Sequence, residues 1–313
     1  MGTNHARVLS AAKGAVLAGV YDPNAARAKA VAKAFDCPVL TSLDEVIDAA
    51  DAASVVVPSS VHAEVAVPLL EAGLHCLIEK PFVTTEADGI AVLTAAASSG
   101  AQVLVGHIER FNPAVRQLRE ILAAEHDVLA VDARRMSAVS SRITDVDVVT
   151  DLMVHDLDIA VDLVRRPIVD VVARAVRGAE GGDDYVSVLV TFDGGALATF
   201  TASRITQNRV RELQVTTDSR FFTVNYPSQE LLIYRQGHIS EIDTEGSPSG
   251  YRLDVGTERV LIPQVEPLVA EISHFLDVAR GRTIPEVSGE HALEVMRLVW
   301  GIHVALRQGL RSD

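Results

Sequence analysis

The residues in this chain best suited to moving a proton are the lysine of Glu79-Lys80-Pro81 and the carboxylate and imidazole of Asp151 and His155. Lys80 directly follows an apolar run, Cys76 to Ile78, that reads as an internal strand. An ammonium group at the carboxyl end of such a strand is poorly solvated and tuned by its neighbours, which suits it to hydrogen-bond a substrate hydroxyl and ease its deprotonation. A surface lysine in a Pro-terminated turn is the other reading of the same tripeptide. Asp151 and His155 stand four apart in Asp151-Leu152-Met153-Val154-His155-Asp156-Leu157-Asp158. On a helix that spacing puts them on one face, where the carboxylate can orient the imidazole while the imidazole transfers a proton. Asp158 shares part of that face and Asp156 points elsewhere. An ordinary helix N-terminus, whose acidic residues the macrodipole favours, is the plainer alternative. A metal site is not expected, because no second histidine stands at ligand spacing.

Other residues are placed to hold a nucleotide. Asp22 ends an apolar run and is followed by Pro23 and a helix. A dinucleotide-binding unit sets a carboxylate there against the adenosine ribose hydroxyls, which favours NAD over the 2'-phosphate of NADP. A helix cap or turn aspartate is the alternative. Pro58, Ser59 and His62 follow the run Ala53 to Val57, at the strand ends where open α/β sheets bind ligands; Ser59 or Ser60 capping the next helix is the structural reading. Upstream, only Gly2 is available for a glycine-rich loop, and it is followed at once by the helix-like stretch Asn4 to Ala12. It reads as the last glycine of a Gly-x-Gly-x-x-Gly fingerprint. The expectation is a chain started at an internal Met, with a strand of about five or six residues and the first glycines upstream. As written, the chain would hold a dinucleotide weakly.

These residues need elements to carry them. From residue 3 to about 106 the chain alternates amphipathic and apolar segments in a βα rhythm. Helix-like stretches (Asn4 to Ala12, Asn24 to Phe35, Leu43 to Ala49, His62 to Ala72, Thr85 to Ala97) separate strand-like runs at Val16 to Tyr21, Pro38 to Leu40, Ala53 to Val57, Cys76 to Ile78 and Val103 to Val105. Ser54-Val55-Val56-Val57 lacks the polar alternation of a half-exposed strand, as a parallel strand covered by helices on both faces should. The fold predicted is α/β, a Rossmann-type parallel sheet with its first strand missing, over residues 1–110. A helix from about Pro113 to Ala123 follows, then the strand-like Val128 to Met136 and the helix Leu152 to Val164. Strands then dominate from Ile168 to Ile242, with hairpin signals such as Asp193-Gly194-Gly195. Residues 111–313 thus read as an α+β domain with a large open, mainly antiparallel sheet. The acidic stretch 243–250 reads as a loop, and helices over Glu266 to Arg280 and Gly289 to Gln308 close the chain.

Composition narrows the partners. The chain is 48% hydrophobic with mean hydropathy +0.22, which is globular rather than disordered. A net charge of -14 repels polyphosphate backbones, so neither nucleic acid nor an anionic membrane is expected as a partner. A pocket for a small anion needs only two or three basic side chains. Cys37 and Cys76 fit no disulfide or metal spacing, which points to a reducing, cytoplasmic setting. Lys13 interrupts the only apolar stretch near the start, and no run reaches the roughly 18 residues a membrane span needs.

In their order along the chain, Gly2 to Arg7, Val20-Tyr21-Asp22-Pro23, Pro58 to His62, Ala72-Gly73-Leu74-His75 leading into Glu79-Lys80-Pro81, and Asp151 with His155 resemble the Gfo/Idh/MocA family of oxidoreductases over essentially the whole length. The resemblance implies NAD-dependent oxidation of a secondary hydroxyl of a sugar. Lys80 and His155 would stand at the carbinol with Asp151 supporting them, and NAD would be held by Gly2, Asp22, Pro58, Ser59, His62 and Glu79. It also implies an open sheet that makes a homodimer or homotetramer. The segments Gly106 to Pro113 and Val149 to Asp158 look most like members acting on nucleotide sugars such as UDP-N-acetylglucosamine. Arg110 and Asn112 would then face the sugar, and Arg135 or Arg142 the diphosphate. Arg110 as an interdomain ion-pair partner stays open, as do an inositol or polyol dehydrogenase, a carbonyl reductase, and a non-catalytic sensor that has lost its cofactor.

Overall fold

The computed structural model describes residues 1–125, 127–138, 147–178, 182–242 and 250–309. Arg142 and most of the expected acidic loop, residues 243–249, lie outside them. The chain divides into two compact units, residues 1–111 with 265–300 and residues 112–264 with 301–313.

In the first unit the strands β1 (Ala52–Val55), β2 (His75–Glu79) and β3 (Val103–Gly106) form a parallel sheet in the order β1-β2-β3. Cys76, Leu77 and Ile78 of the middle strand are completely buried, so both faces are covered, as their unbroken apolar run requires. The helices begin where the sequence supplies caps. Asn24 accepts from the Ala26 and Arg27 amides ahead of α2 (Ala25–Phe35), Ser42 from Glu45 ahead of α3 (Leu43–Ala49), and Thr85 from Asp88 ahead of α5 (Glu86–Ser99). Two further helices, α1 (Gly2–Ala11) and α4 (His62–Glu71), complete the βα series. The strand-like runs at 16–21 and 38–40 meet, among the described residues, in a single parallel bridge between Val20 and Val39. Val16 is 89% exposed, while Leu17 to Val20 are half-buried.

The continuous second domain expected over 111–313 is interrupted. Residues 265–300, which include α8 (Pro267–Ala279), belong to the first unit. The physical reason is an open sheet edge. The Val105 amide donates to the Val287 carbonyl at 3.1 Å, and Leu104 pairs with Ser288, so the returning chain satisfies backbone groups that β3 would otherwise present unpaired.

The second unit is built on an eight-stranded sheet. Its strands are β4 (Val128–Met136), β5 (Ile168–Arg177), β6 (Asp183–Phe192), β7 (Leu197–Ser203), β8 (Val210–Thr217), β9 (Arg220–Asn225), β10 (Glu230–Ile242) and β11 (Gly250–Val260). They run in the order β11-β10-β9-β8-β4-β7-β6-β5, antiparallel except where β4 lies parallel to β7. One face buries Val131, Ala133, Val188, Phe200, Leu213 and Phe222 against α6 (Pro113–Glu125) and α7 (Val154–Val164). On the other, Val172, Leu189, Thr199 and Asp132 lie side by side in register, and Val172, Leu189 and Leu197 are exposed. The period-2 alternation therefore faces a core on one side only.

Arg135 belongs to the buried face. Its guanidinium grips Asp156 of α7 through two parallel contacts of 2.8 Å and lies 4.9 Å from the Tyr226 ring centre, so α7 is pinned to β4 by a planar fork matched to a carboxylate. The expected diphosphate role of Arg135 meets a side chain already committed and buried. Arg135→Ala, which strands Asp156 without its counter-charge, is expected to cost about 3–5 kcal/mol in urea unfolding, whereas the paired change Arg135→Met with Asp156→Leu recovers most of that loss.

Candidate active site

In the first unit, β2 ends at Glu79 and hands the chain to Lys80, whose peptide bond to Pro81 is cis. Lys80 is half-buried, while Phe82 and Val83 behind it are buried. Glu79 is 6% exposed, and its carboxylate is held on both sides: Oε1 lies 2.8 Å from His5 Nε2, and Oε2 accepts the Lys80 backbone N–H at 3.1 Å. The other His5 nitrogen, Nδ1, lies 2.7 Å from Ser54 Oγ on β1. Gly106, opposite Glu79 in the sheet, leaves room for this carboxylate, since a β-carbon there would come within 3.2 Å of the Glu79 Cδ.

A second carboxyl lies close by. Glu271 of α8 is fully buried, and its two oxygens meet no hydrogen-bond partner among the described residues. Burial, reinforced by the negative charge of Glu79, pushes its pKa well above the ordinary carboxylate range, which favours its neutral form.

His62 is also buried. Its Nδ1 lies 3.0 Å from the Phe82 carbonyl oxygen and its Nε2 3.0 Å from that of Val57. Pro58 and Ser59 lead into a short 3-10 turn, Ser59–Val61, ahead of α4, and no side chain caps either helix, so the expected serine cap is absent. Asp22 Oδ1 accepts the Asn24 amide at 2.7 Å, a turn that orients the carboxyl group. At Gly2, α1 begins with no side-chain cap and no acidic residue in its first turn, and a β-carbon there would meet nothing within 4 Å. Exposed amide donors at such a helix start suit a pyrophosphate. The first unit thus brings together Lys80, Glu79, His62 and the loop of Pro58 and Ser59.

Asp151 and His155 lie in the second unit, on a segment that opens one turn earlier than the expected helix. Val149–Met153 is π-helical and runs into α7, so Asp151 sits on the wider turn and His155 on the α-helix after it. Both are half-buried, while Asp156 and Asp158 are buried, Asp156 in the pair with Arg135. Asp147 caps this segment, accepting the Val149 and Thr150 amides and the Thr150 hydroxyl, with His303 Nε2 at 3.1 Å.

The two residues expected to face a sugar are both buried. Arg110 is 1% exposed, with Nη2 at 3.5 Å from His291. Asn112 donates from Nδ2 to the Tyr226 carbonyl and accepts the Ala114 amide on Oδ1, so it ties the start of α6 to the sheet. Among the described residues no group of three or more His, Cys, Asp or Glu is arranged to hold a metal ion, and no helix is long and apolar enough to cross a membrane.

Sequence reasoning passed over His5, Ser54 and Glu271. The available signal was a polar residue on an apolar face. His5 stands with Ala6 and Val8 on the buried side of α1, and Glu271 interrupts the stripe Leu268, Ile272, Phe275 and Val278 of α8.

Residues 1–107 match the model of an oxidoreductase family with an NAD-binding Rossmann fold, and residues 131–220 match the GFO/IDH/MocA C-terminal domain. UDP-N-acetylglucosamine 3-dehydrogenase of Acidithiobacillus ferrooxidans is 32% identical over 295 residues, covering 94% of this chain and 91% of that protein. A solved structure of the enzyme of that name and organism superposes with a TM-score of 0.88 at 31% identity, over 97% of this chain and 94% of the other. Inositol 2-dehydrogenase of Leifsonia xyli subsp. xyli is 30% identical over 208 residues, 63% of this chain and 61% of that protein.

Burial pushes the Asp147 carboxyl upward, but the hydrogen bond and charge of His303 and the hydrogen bonds from Thr150 outweigh it and hold the group well below the ordinary carboxylate range. The carboxylate is therefore the stabilising form. Its contribution is present above the ordinary range, about pH 4, and fades as pH falls below it. Thermal unfolding should show the wild type above Asp147→Asn at neutral pH, with the gap closing on acidification below about pH 4; a gap that does not change with pH would refute this role.

Proposed function

The chain belongs to the Gfo/Idh/MocA family of oxidoreductases, and on that premise we propose that it is an NAD-dependent dehydrogenase that oxidises a secondary hydroxyl of a sugar, with a nucleotide sugar such as UDP-N-acetylglucosamine as the favoured form. The observation that carries the reading is Lys80, a half-buried ammonium group at the carboxyl end of the middle strand of a parallel sheet, where such folds bind their ligands. The near-full-length likeness to a UDP-N-acetylglucosamine 3-dehydrogenase supports the choice of substrate. The shorter likeness to inositol 2-dehydrogenases favours a polyol as the second reading.

In this reading α1 at Gly2, Asp22, Pro58, Ser59 and the strand end at Glu79 hold NAD, which when bound supplies the acceptor for the hydride. His155 takes the hydroxyl proton. The role given to Lys80 is to donate a hydrogen bond to a substrate hydroxyl and offset negative charge that develops on it. Asp151 orients the imidazole. His62, buried against backbone, supports the loop that carries Pro58 and Ser59.

We assign the chain to the cytoplasm, in keeping with its two free cysteines. We also assign it to a homodimer or homotetramer joined through the open sheet face, because Val172, Leu189 and Leu197 lie there next to Thr and Ser side chains that a second sheet can pair with. Light scattering should give a mass of two or four chains for the wild type and a smaller species for Leu189→Glu; a monomeric wild type would remove the interface.

NADH absorbance followed with UDP-N-acetylglucosamine, myo-inositol and simple aldoses should show turnover, fastest per unit concentration with the nucleotide sugar. Lys80→Ala is expected to lower kcat by about a hundredfold or more while NAD affinity holds within a few-fold. Silence on the whole panel by a protein that binds NAD would overturn the substrate reading, and an unimpaired Lys80→Ala would remove Lys80 from the chemistry.

A further inference from the structure

Lys80 is flanked on both sides by residues that a buried histidine holds. On the N-terminal side, His5 meets Glu79 Oε1 at 2.8 Å, and the second oxygen of the same carboxylate accepts the Lys80 amide at 3.1 Å. On the C-terminal side, His62 meets the carbonyl of Phe82, two residues beyond Lys80, at 3.0 Å. Each imidazole reaches across to β1 or its end with its other nitrogen, His5 to Ser54 Oγ at 2.7 Å and His62 to the Val57 carbonyl at 3.0 Å. Both rings are almost completely buried.

We propose that His5 and His62 are positioning residues that clamp the segment 79–82 from two helices, α1 and α4, and so fix where Lys80 presents its ammonium group. The inference rests on the role given to Lys80 above.

The chemistry of each contact suits a clamp. A carboxylate only accepts, so His5 Nε2 must be the protonated nitrogen towards Glu79, and the contact fixes the ring as well as the carboxylate. Glu79 then has one oxygen on the histidine and one on the Lys80 amide, so the carboxylate couples a helix to a backbone bond. Burial and the nearby carboxylate of Glu79 push the Glu271 carboxyl up, towards a neutral form that does not repel Glu79. At the other end a backbone carbonyl is held, so the turn cannot shift without breaking a buried hydrogen bond that water does not replace. His5 and His62 approach from helices separated in sequence by α2, α3 and β1, so neither can follow a local movement of the other.

A lysine misplaced by about 1 Å is enough to cost roughly a hundredfold in rate, so the clamp should be visible in kinetics. The variants are His5→Leu, which removes both contacts; His5→Gln, which can keep a donor to Glu79; His62→Gln; and Ser54→Ala, a milder change on the far side of His5. Two measurements are made on the folded full chain: kcat with the best sugar substrate, and amide hydrogen exchange across residues 75–83. His5→Leu should lower kcat by about 10- to 100-fold and accelerate exchange of the Lys80 amide, with β2 from Cys76 to Ile78 unchanged. His5→Gln should restore both towards wild type. His62→Gln should lower kcat and speed exchange at Val83, with β2 again unchanged. If His5→Leu does not fold, Ser54→Ala carries the first half of the test with a smaller effect in the same direction.

Wild-type kcat with wild-type exchange at Lys80 in folded His5→Leu overturns the proposal, as does faster exchange with kcat unchanged. Loss of protection throughout β2 overturns it too, because it marks a general packing role. If the wild type turns over no sugar, the dehydrogenase reading fails and this role for the clamp fails with it. Turnover by the wild type together with an indifferent His5→Leu defeats the clamp alone.

Discussion

A carboxylate withdrawn from water has to find hydrogen atoms elsewhere, and much of the first unit follows from where Glu79 finds them. One oxygen takes the imidazole of His5 and the other the amide of Lys80. Three consequences come from that arrangement. The α1 helix must lie over the end of β2 for His5 to reach. The strand next to β2 must end in a residue without a side chain, which Gly106 supplies. A second acid nearby is pushed towards its neutral form, as the raised pKa of Glu271 shows. The group that binds the turn to the helix is thus the residue immediately before Lys80.

The second unit answers a different constraint. Its eight strands alternate so that one side packs on α6 and α7 while the other carries the exposed Val172, Leu189 and Leu197. The price of carrying Asp156 on the packed side is the bidentate grip of Arg135, which leaves no unpaired charge between helix and sheet. The π-helical turn at Val149–Met153 precedes this anchored helix and sets Asp151 on a wider circle than His155. Asp147 accepts the amides at its start, so the segment that carries both candidate residues is capped at one end and bolted down by Arg135 further along.

Much of this was legible in the residues. The strands β2 and β3 could be read from runs apolar on both faces, and α2, α3 and α5 from Asn24, Ser42 and Thr85 at their starts, because these signals depend on neighbours within a few positions. Lys80 could be placed at a strand end by the apolar run before it. The same local logic overreached at Val16 to Tyr21, where strand-like composition yields one bridge, and at Ser59, which opens a turn but caps no helix. Asn112 and Arg135 have the donors a substrate would want, yet the fold spends those donors on Tyr226 and Asp156.

By itself the sequence determined the class of the fold, the order of its elements and the residue types on which dehydrogenase chemistry can be hung, since periodicity, caps and motif order are properties of short stretches. Only the tertiary structure decided that residues 265–300 complete the first unit, that His5 reaches Glu79 across 74 positions and Ser54 across 49, and that burial and Glu79 push the Glu271 carboxyl well above the ordinary range. Those outcomes depend on which backbone groups are left unpaired at a sheet edge and which polar atoms are sealed from water. Such quantities do not exist until distant parts of the chain have packed together.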